Sequence, residues 1–411
     1  MMAENKHIYT LVLIYFYSML IPMEAFFYLG SIRMELYRLI LICITPFVLV
    51  NLRKQNLFGL TEKFLLLYCA WVTVSFLANH GTANLESGVI NFLEVFIGYG
   101  LGLLLCGSKD SLKKLFKTFL LVFTLLIPLA IIEASNGIRV LHIWAANIFG
   151  NPVLEYLGDS YFRYGLHRAS TVFSHPILYS ICALMVLPLS FLYYKPLKAL
   201  LMSTGLFVAM ISSVTSAGFL MVIMQFSLFV LKRIAEYFEN IYKVIVWGIS
   251  IIYLLLIVSS NRGPVLVMVE SLALNPATAY ARYQQWQFSA DDIANSPLFG
   301  IGFESWSRPF WMSDSVDSFW LNVTLVSGYP ALFFLTAFFF LTLKAQWQNK
   351  DHKTDGKFYF VFFCSTASIV FAGLTVDFFD RAQLMVFLML GIYNSFLIKP
   401  KLTKGIKNAK W

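Results

Sequence analysis

The sequence predicts an all-α fold: a polytopic helical membrane protein, one membrane domain over residues 1–411 with about twelve transmembrane helices and both termini cytoplasmic. Composition is the first reason. Of 411 residues, 59% are hydrophobic, 17% aromatic and only 13% charged, and the mean hydropathy is +0.71, whereas a soluble domain carries about 25% charged residues. Run length is the second. Apolar stretches of about 17 to 25 residues recur from end to end, each long enough to cross a hydrocarbon layer of about 30 Å, which leaves no room for a long soluble domain. An outer-membrane barrel would need segments of about 10 residues alternating in polarity, and residues 119–132 are apolar almost throughout. Charge placement is the third. With both termini inside, the inner segments hold all 20 lysines plus Arg53 and Arg233, and the outer segments hold the other nine arginines. Cytoplasmic loops retain Lys and Arg, so this split sets the orientation. The 22 carboxylates sort 7 inside and 15 outside, giving +15 and −6 on the two faces. The net +9 is therefore a topology signal and predicts no nucleic-acid partner.

The helices are read in order at about 8–30, 36–50, 64–79, 89–106, 115–134, 174–194, 199–213, 217–231, 241–259, 318–343, 358–375 and 381–398. The first run contains Pro22 and Glu24 and lacks a small-x-small site, so it does not read as a cleavable signal peptide. The five cysteines all fall in apolar runs without C-x-x-C spacing, which suggests packing residues and no metal site. Inner loops are short and basic, with neither a P-loop nor a dinucleotide fingerprint, so chemistry driven by cytoplasmic ATP is not expected. Two outer segments exceed what a connection needs: residues 135–173, and the large loop 260–317 between helices 9 and 10, with a helix near 278–294. Long loops in compact proteins are usually functional. The working face is expected outside.

Between Lys198 and Lys232 only 33 residues must cross out and back, where two full spans would want about 40. The turn at 212–218, with Thr215 and Ser216, should stop short of the outer surface. Backbone at membrane depth is tolerated where it lines a wet cavity or is buried in protein. The turn also opens a helix, whose N–H groups favour an anion; hydroxyls capping that helix are the plainer reading.

Nine outer arginines suit a site that grips oxyanions by forked hydrogen bonds, although salt bridges to outer carboxylates would equally occupy them. Arg282 leads Arg282-x-x-x-Trp286, whose ends share a helix face, ahead of Pro297-Leu298-Phe299-Gly300-Ile301-Gly302, whose glycines make a tight turn. Arg262 lies just past the ninth helix, and Arg168 opens a polar run to His175-Pro176 at the start of the sixth. Aromatic residues from Phe303 to Trp320 could stack on sugars, with Glu304, Asp314 and Asp317 to take hydroxyl protons, or could form an interfacial belt. His175 reads as a cap or packing residue before it reads as an acid or base. Glu94 lies within the fourth run, where an ionisable group is a functional suspect; a structural pair with Arg33 or Arg38 is the other reading. Asp317 likewise fits a helix cap or a catalytic role.

Taken together, the segment 168–176, the Ser/Thr-rich turn, Arg282-x-x-x-Trp286, residues 297–302, and Asp317-Ser318-Phe319-Trp320-Leu321 followed by Gly328-Tyr329-Pro330 resemble, in order and spacing, the O-antigen polymerase and O-antigen ligase superfamily. The resemblance covers most of residues 160–345. It implies inverting, metal-independent glycosyl transfer at the periplasmic face of a bacterial inner membrane, with a glycan on undecaprenyl pyrophosphate as donor and no cofactor. Ligases of this family resemble a His-Asn-x-aromatic-Leu pattern where this chain has Asp317-Ser318-Phe319-Trp320-Leu321, which points to the polymerase branch. Many members carry an arginine in the turn where this chain has Ala217, so one phosphate contact of the family is either missing here or supplied by Arg262. Arg168 and Arg282 are the best matches to the family and Asp317 a weaker one; joined to the reading of the residues themselves, they make Asp317 and Arg282 the catalytic candidates, and Arg168, Arg262, His175, Thr215, Ser216, Trp286, Glu304 and Trp320 the substrate-binding candidates. Lipid-linked glycans as donor and acceptor, membrane lipid, and a chain-length regulator or flippase are the partners the resemblance implies. A ligase, or a secondary transporter of twelve helices, is the competing reading, though a transporter of two halves would show a longer central connection than residues 194–198.

Overall fold

All twelve apolar runs carry helix, and where a run breaks, a proline or a buried charge accounts for the break. The computed structural model describes residues 2–30, 32–105, 109–153, 161–193, 196–238, 240–259 and 276–407. α1 (Met2–Met19) ends sooner than the run 8–30 suggested, because Pro22 lacks the N–H that would continue the helix, and an antiparallel hairpin follows, β1 (Phe26–Leu29) with β2 (Ile32–Glu35), Phe26 opposite Glu35. Next come α2 (Leu36–Lys54) and α3 (Leu60–His80). The run 89–106 divides into α4 (Leu85–Asn91), a π-helical stretch Phe92–Ile97 that turns Glu94 inward, and α5 (Gly98–Leu103). Glu94 meets Arg38 there at 2.8 Å, so the pair with Arg38 that the sequence offered is formed. α6 (Lys109–Asn136) and α7 (Val140–Phe149) lead to a second short hairpin, β3 (Phe162–Arg163) with β4 (Leu166–His167). The strictly all-α expectation is corrected to this extent: the chain is mostly helical, with two small hairpins.

α8 (Pro176–Val186) gives way at Pro188 to a 3-10 turn and the short α9 (Ser190–Tyr193). Then follow α10 (Pro196–Ser213), α11 (Ser216–Ala235), α12 (Ile241–Ser259), α13 (Pro276–Phe288), α14 (Ala290–Asn295), α15 (Phe319–Gln348), α16 (Gly356–Ala372) and α17 (Asp380–Lys407). Five helices, α2, α3, α6, α11 and α15, are long and apolar enough to cross a membrane by length and composition among the described residues. Shorter apolar helices, His7–Met19, Val140–Phe149, Pro176–Leu192, Leu197–Ser213 and Gly356–Ala372, accompany them.

Close packing explains how the helices fit. α5 lies directly on α17: a Cβ on Gly102 would stand 2.4 Å from the Leu388 carbonyl oxygen, and one on Gly391 2.0 Å from that of Tyr99. Small residues that let backbones touch are the usual solution between helices in lipid. Lys109 pairs with Asp355 and Lys232 lies 4.2 Å over the Phe360 ring, so the lysine-bearing ends of α6, α11 and α16 meet at one end of the bundle. The loops gather at the other end.

That loop-rich end is fixed by a break in α15. Gly328 adopts φ 78° and ψ 176°, and Pro330 has no N–H to offer the Val326 carbonyl. The segment 297–302 fills the gap: Gly302 N donates to Val326 O at 3.0 Å, Ile301 N to Leu325 O at 2.8 Å, and Tyr329 N to Pro297 O at 2.8 Å. A Cβ on Gly328 would lie 2.1 Å from the Leu298 carbonyl oxygen, so only glycine admits this approach. From the other side α3 clamps the segment, with Trp71 donating to Ser327 O and Asn79 to Phe299 O, both at 3.1 Å, while His80 Nε2 accepts from Phe303 N at 2.8 Å. The glycines that looked like a tight turn are a docking loop as well. Its backbone is hydrogen-bonded on both flanks, which holds residues 303–318 beside α15.

Candidate functional site

The segment 168–176 owes its path to a carboxylate at the end of α6. Glu133 accepts from Ser170 N at 3.0 Å, Ser170 Oγ at 2.9 Å and Thr171 N at 2.8 Å, which holds Thr171 at φ 56°. Arg139 Nε stands 3.5 Å from Glu133, and Arg139 also donates to Phe173 O at 3.0 Å. The segment then joins the 212–218 turn, since Ala169 N donates to Ser212 O at 2.9 Å and Arg168 Nε to Ser213 O at 3.3 Å. Val214 takes φ 45° between α10 and α11. Ser213 is 0% and Thr215 1% exposed, so this turn is buried in protein. Accordingly, Thr215→Cys in a chain whose own cysteines are replaced is expected to react with a bulky thiol reagent in detergent far more slowly than Thr278→Cys on partly exposed α13. Equal labelling rates would mean that the turn is not sheltered.

His175 caps α8, with Nδ1 accepting from Ile177 N at 3.2 Å. Burial, then Arg168, Arg139, Arg163 and Arg282, push its pKa down to about 3, so it is neutral at ordinary pH and is not a proton donor there. The same crowding acts on the guanidiniums. Burial first, then Arg163 and Arg282, lower Arg168 to about 10, and burial with Arg282 lowers Arg163. Arg163, Arg168 and Arg282 thus act on one another, and together with Arg139 on His175, across a short distance.

His175 faces a cavity of about 390 Å³ whose polar lining includes Arg282, Glu304, Asp314, Asp317, Asn322 and Asp377. Arg282 rises from α13 and its Nε donates to Asp317 Oδ2 at 3.2 Å; Arg282 is 12% and Asp317 37% exposed at the side chain. Gln285, one turn along α13, accepts from Asp317 N at 2.9 Å. The cap of α15 is Ser318, whose Oγ accepts from Leu321 N at 3.3 Å, so capping does not occupy the Asp317 carboxylate. Opposite stands Asp377, between α16 and α17, accepting from Asn322 Nδ2 at 2.9 Å. Burial raises Asp377 to about 7, partly offset by that hydrogen bond, with Asp317 adding to the rise.

Four expected residues therefore share one cavity: Arg282, Asp317, Glu304 and His175. Arg168 stands behind His175. Thr215 and Ser216 lie in the buried turn and Trp286 is 45% exposed on α13, none of them on the cavity lining; Trp320 is buried against Phe339 and donates to Val370 O at 3.1 Å. Arg262 lies outside the described residues. Half of the aromatic cluster is packed: Trp306 is buried and bonds Asp314 O at 2.9 Å, Phe319 packs on Phe378 and Trp320 is buried as above, whereas Phe303, Phe310 and Trp311 are exposed. Asn322 and Asp377 escaped sequence reasoning. The one available signal was a carboxylate isolated between two apolar runs. Among the described residues no group of three or more His, Cys, Asp or Glu converges as a metal site would. Compared with known proteins, the chain matches no family model and no curated protein.

Proposed function

We propose that the chain polymerises lipid-linked oligosaccharides, transferring a glycan from an undecaprenyl-type diphosphate to the hydroxyl of a second lipid-linked glycan at the periplasmic face of a bacterial inner membrane. The observation that carries this reading is the gathering of Arg282, Arg168 and Arg163 beside a cavity that also holds carboxylates, Arg168 lowered by burial and then by Arg163 and Arg282, and Arg163 by burial and Arg282. Such a field attracts an anion. The ordered motifs that resemble the O-antigen polymerase and ligase superfamily favour a diphosphate as that anion and a sugar as the transferred group.

In this mechanism the diphosphate approaches Arg282 and competes with Asp317 for the guanidinium. As the bond between the sugar C1 and the phosphate oxygen breaks, charge develops on the leaving diphosphate, and arginines already in place stabilise it without reorganisation. Asp317, released from its ion pair, accepts the proton of the acceptor hydroxyl as the oxygen attacks C1 from the opposite face. Inversion follows from a single displacement. A membrane-embedded catalyst suits a substrate whose tail stays in hydrocarbon while its head reaches the cavity.

Purified protein incubated with one lipid-linked repeat unit tests the reading. A ladder of chain lengths supports polymerisation, a single transfer to lipid A core indicates a ligase, and no product in either assay favours transport. Arg282→Lys keeps the charge but loses the planar fork. It is expected to lower the elongation rate at least about tenfold, or about 1.4 kcal/mol of transition-state stabilisation; a fully active variant would take Arg282 out of the site.

A further inference from the structure

Past Asp377 lies a second cavity, of about 360 Å³, which shares Asn322, Val326, Asp377 and Phe379 with the first. Tyr68, Phe76, Phe303 and Phe319 give it aromatic walls, and Asn91, Gln383, Glu94 and Arg38 line it with polar groups. Phe303 is stacked on Phe76 at 4.6 Å, so that wall is held in place. Asn91 Nδ2 is buried with no hydrogen-bond partner, a donor that the protein leaves unsatisfied on the cavity lining. Ring faces beside amide groups suit sugars, whose C–H faces are apolar and whose edges carry hydroxyls.

The second cavity continues into a third. Arg38, Ile90 and Glu94 also line a space of about 350 Å³, whose remaining walls are apolar apart from Glu86, among them Ile32, Met34, Ile42, Val89 and Leu93. The boundary between the two is the Arg38–Glu94 ion pair, and Glu94 lies in the π-helical stretch, a distortion that often marks functional positions. An apolar chamber, an ion pair, and then a chamber of rings and amides match one amphiphile along its length.

We propose that the second and third cavities together form the acceptor site: the third holds the hydrocarbon of a lipid-linked glycan, and the second holds its terminal sugars, presenting a hydroxyl at the junction marked by Asp377. This assignment rests on the polymerase reading and gives each of its two substrates a place. Asn91 and Gln383 grip the acceptor hydroxyls.

The test uses full-length protein in detergent and, as probe, the lipid-free oligosaccharide released by mild acid from the host's lipid-linked repeat. Wild type is expected to bind it, and Asn91→Leu and Gln383→Leu are each expected to raise the dissociation constant at least fivefold while melting within a few degrees of wild type; Lys350→Gln, at the lysine-bearing end, serves as control. In the elongation assay the same two variants should need at least fivefold more acceptor for half-maximal rate. Absence of oligosaccharide binding to wild type, or undiminished binding by both variants, overturns the assignment. If wild type makes no polymer but binds the oligosaccharide in an Asn91-dependent way, the polymerase reading falls and the glycan site stands.

Discussion

Asp317→Asn is expected to fold and insert at normal levels yet lose elongation by about 10²-fold or more, the usual contribution of a positioned proton acceptor. The substitution is nearly isosteric. The backbone donation from Asp317 N to Gln285 is untouched, and the helix that follows keeps its own cap at Ser318. An amide oxygen can still accept from Arg282 Nε in place of Oδ2. What disappears is the charge and the ability to take a proton. Structural disturbance and chemical loss are thereby separated, with a thermal melt reporting the first and the polymer ladder the second. Glu304→Gln and Asp314→Asn should be milder, because Glu304 is exposed on the loop and Asp314 is 73% exposed at the side chain and ion-paired to Arg308 at 2.8 Å. Retained polymer in Asp317→Asn would move the proton acceptor elsewhere, with Glu304 and Asp377 on the same cavity as the remaining carboxylates.

Local pattern carried far in this sequence, and pairing across the chain did not. Helix existence was legible because an apolar run longer than a few turns has few alternatives, and the tightness of the 212–218 turn was legible because a residue count between two lysines is a length. The role of Gly300 and Gly302 was half legible: glycine signals a tight turn, but nothing local says that Pro330, almost thirty residues on, leaves a carbonyl for Gly302 to bind. Prolines mark breaks, yet the end of α1 at Met19 was hidden by the apolar residues that continue into β1. Charged residues were the least legible. Glu133 and Arg139 shape the segment that carries Arg168 and His175, but their partners are backbone groups 34 to 38 residues away, chosen by tertiary packing. Asp377 looked like one more outer carboxylate until Asn322 was seen against it. The aromatic cluster was ambiguous for the opposite reason: rings that suit sugar recognition also suit packing, and burial divides it, with Trp306, Phe319 and Trp320 inside and Phe303, Phe310 and Trp311 exposed.

The most consequential of these long-range pairings predicts a large loss of stability. Arg381, at the start of α17, is 1% exposed. Its Nη1 donates to Asp380 at 2.7 and 2.8 Å, its Nη2 to Glu35 at 2.5 Å, and its Nε to the Ile21 carbonyl at 2.8 Å. One guanidinium thus ties the last helix to the end of β2 and to the loop after α1, elements more than 340 residues apart in sequence. Burial raises the Glu35 carboxyl, and Arg381 is the largest influence opposing that rise. Removing a partner from a buried ion pair costs about 3–5 kcal/mol, because the charge left behind has lost both water and its counter-ion. Arg381→Met fills similar volume without the charge, so packing changes little; Asp380 loses its guanidinium, and among the described residues Glu35 keeps only Arg33 as an ion-pair partner, at 3.2 Å on its other oxygen. Chemical denaturation in detergent should place Arg381→Met at least about 3 kcal/mol below wild type. Adding Glu35→Gln removes one of the stranded charges and should recover a third or more of the loss, a coupling that independent sites would not show. A single variant within about 1 kcal/mol of wild type, or strict additivity in the double variant, would mean that apolar packing around α17 holds this corner and the ion pairs do not.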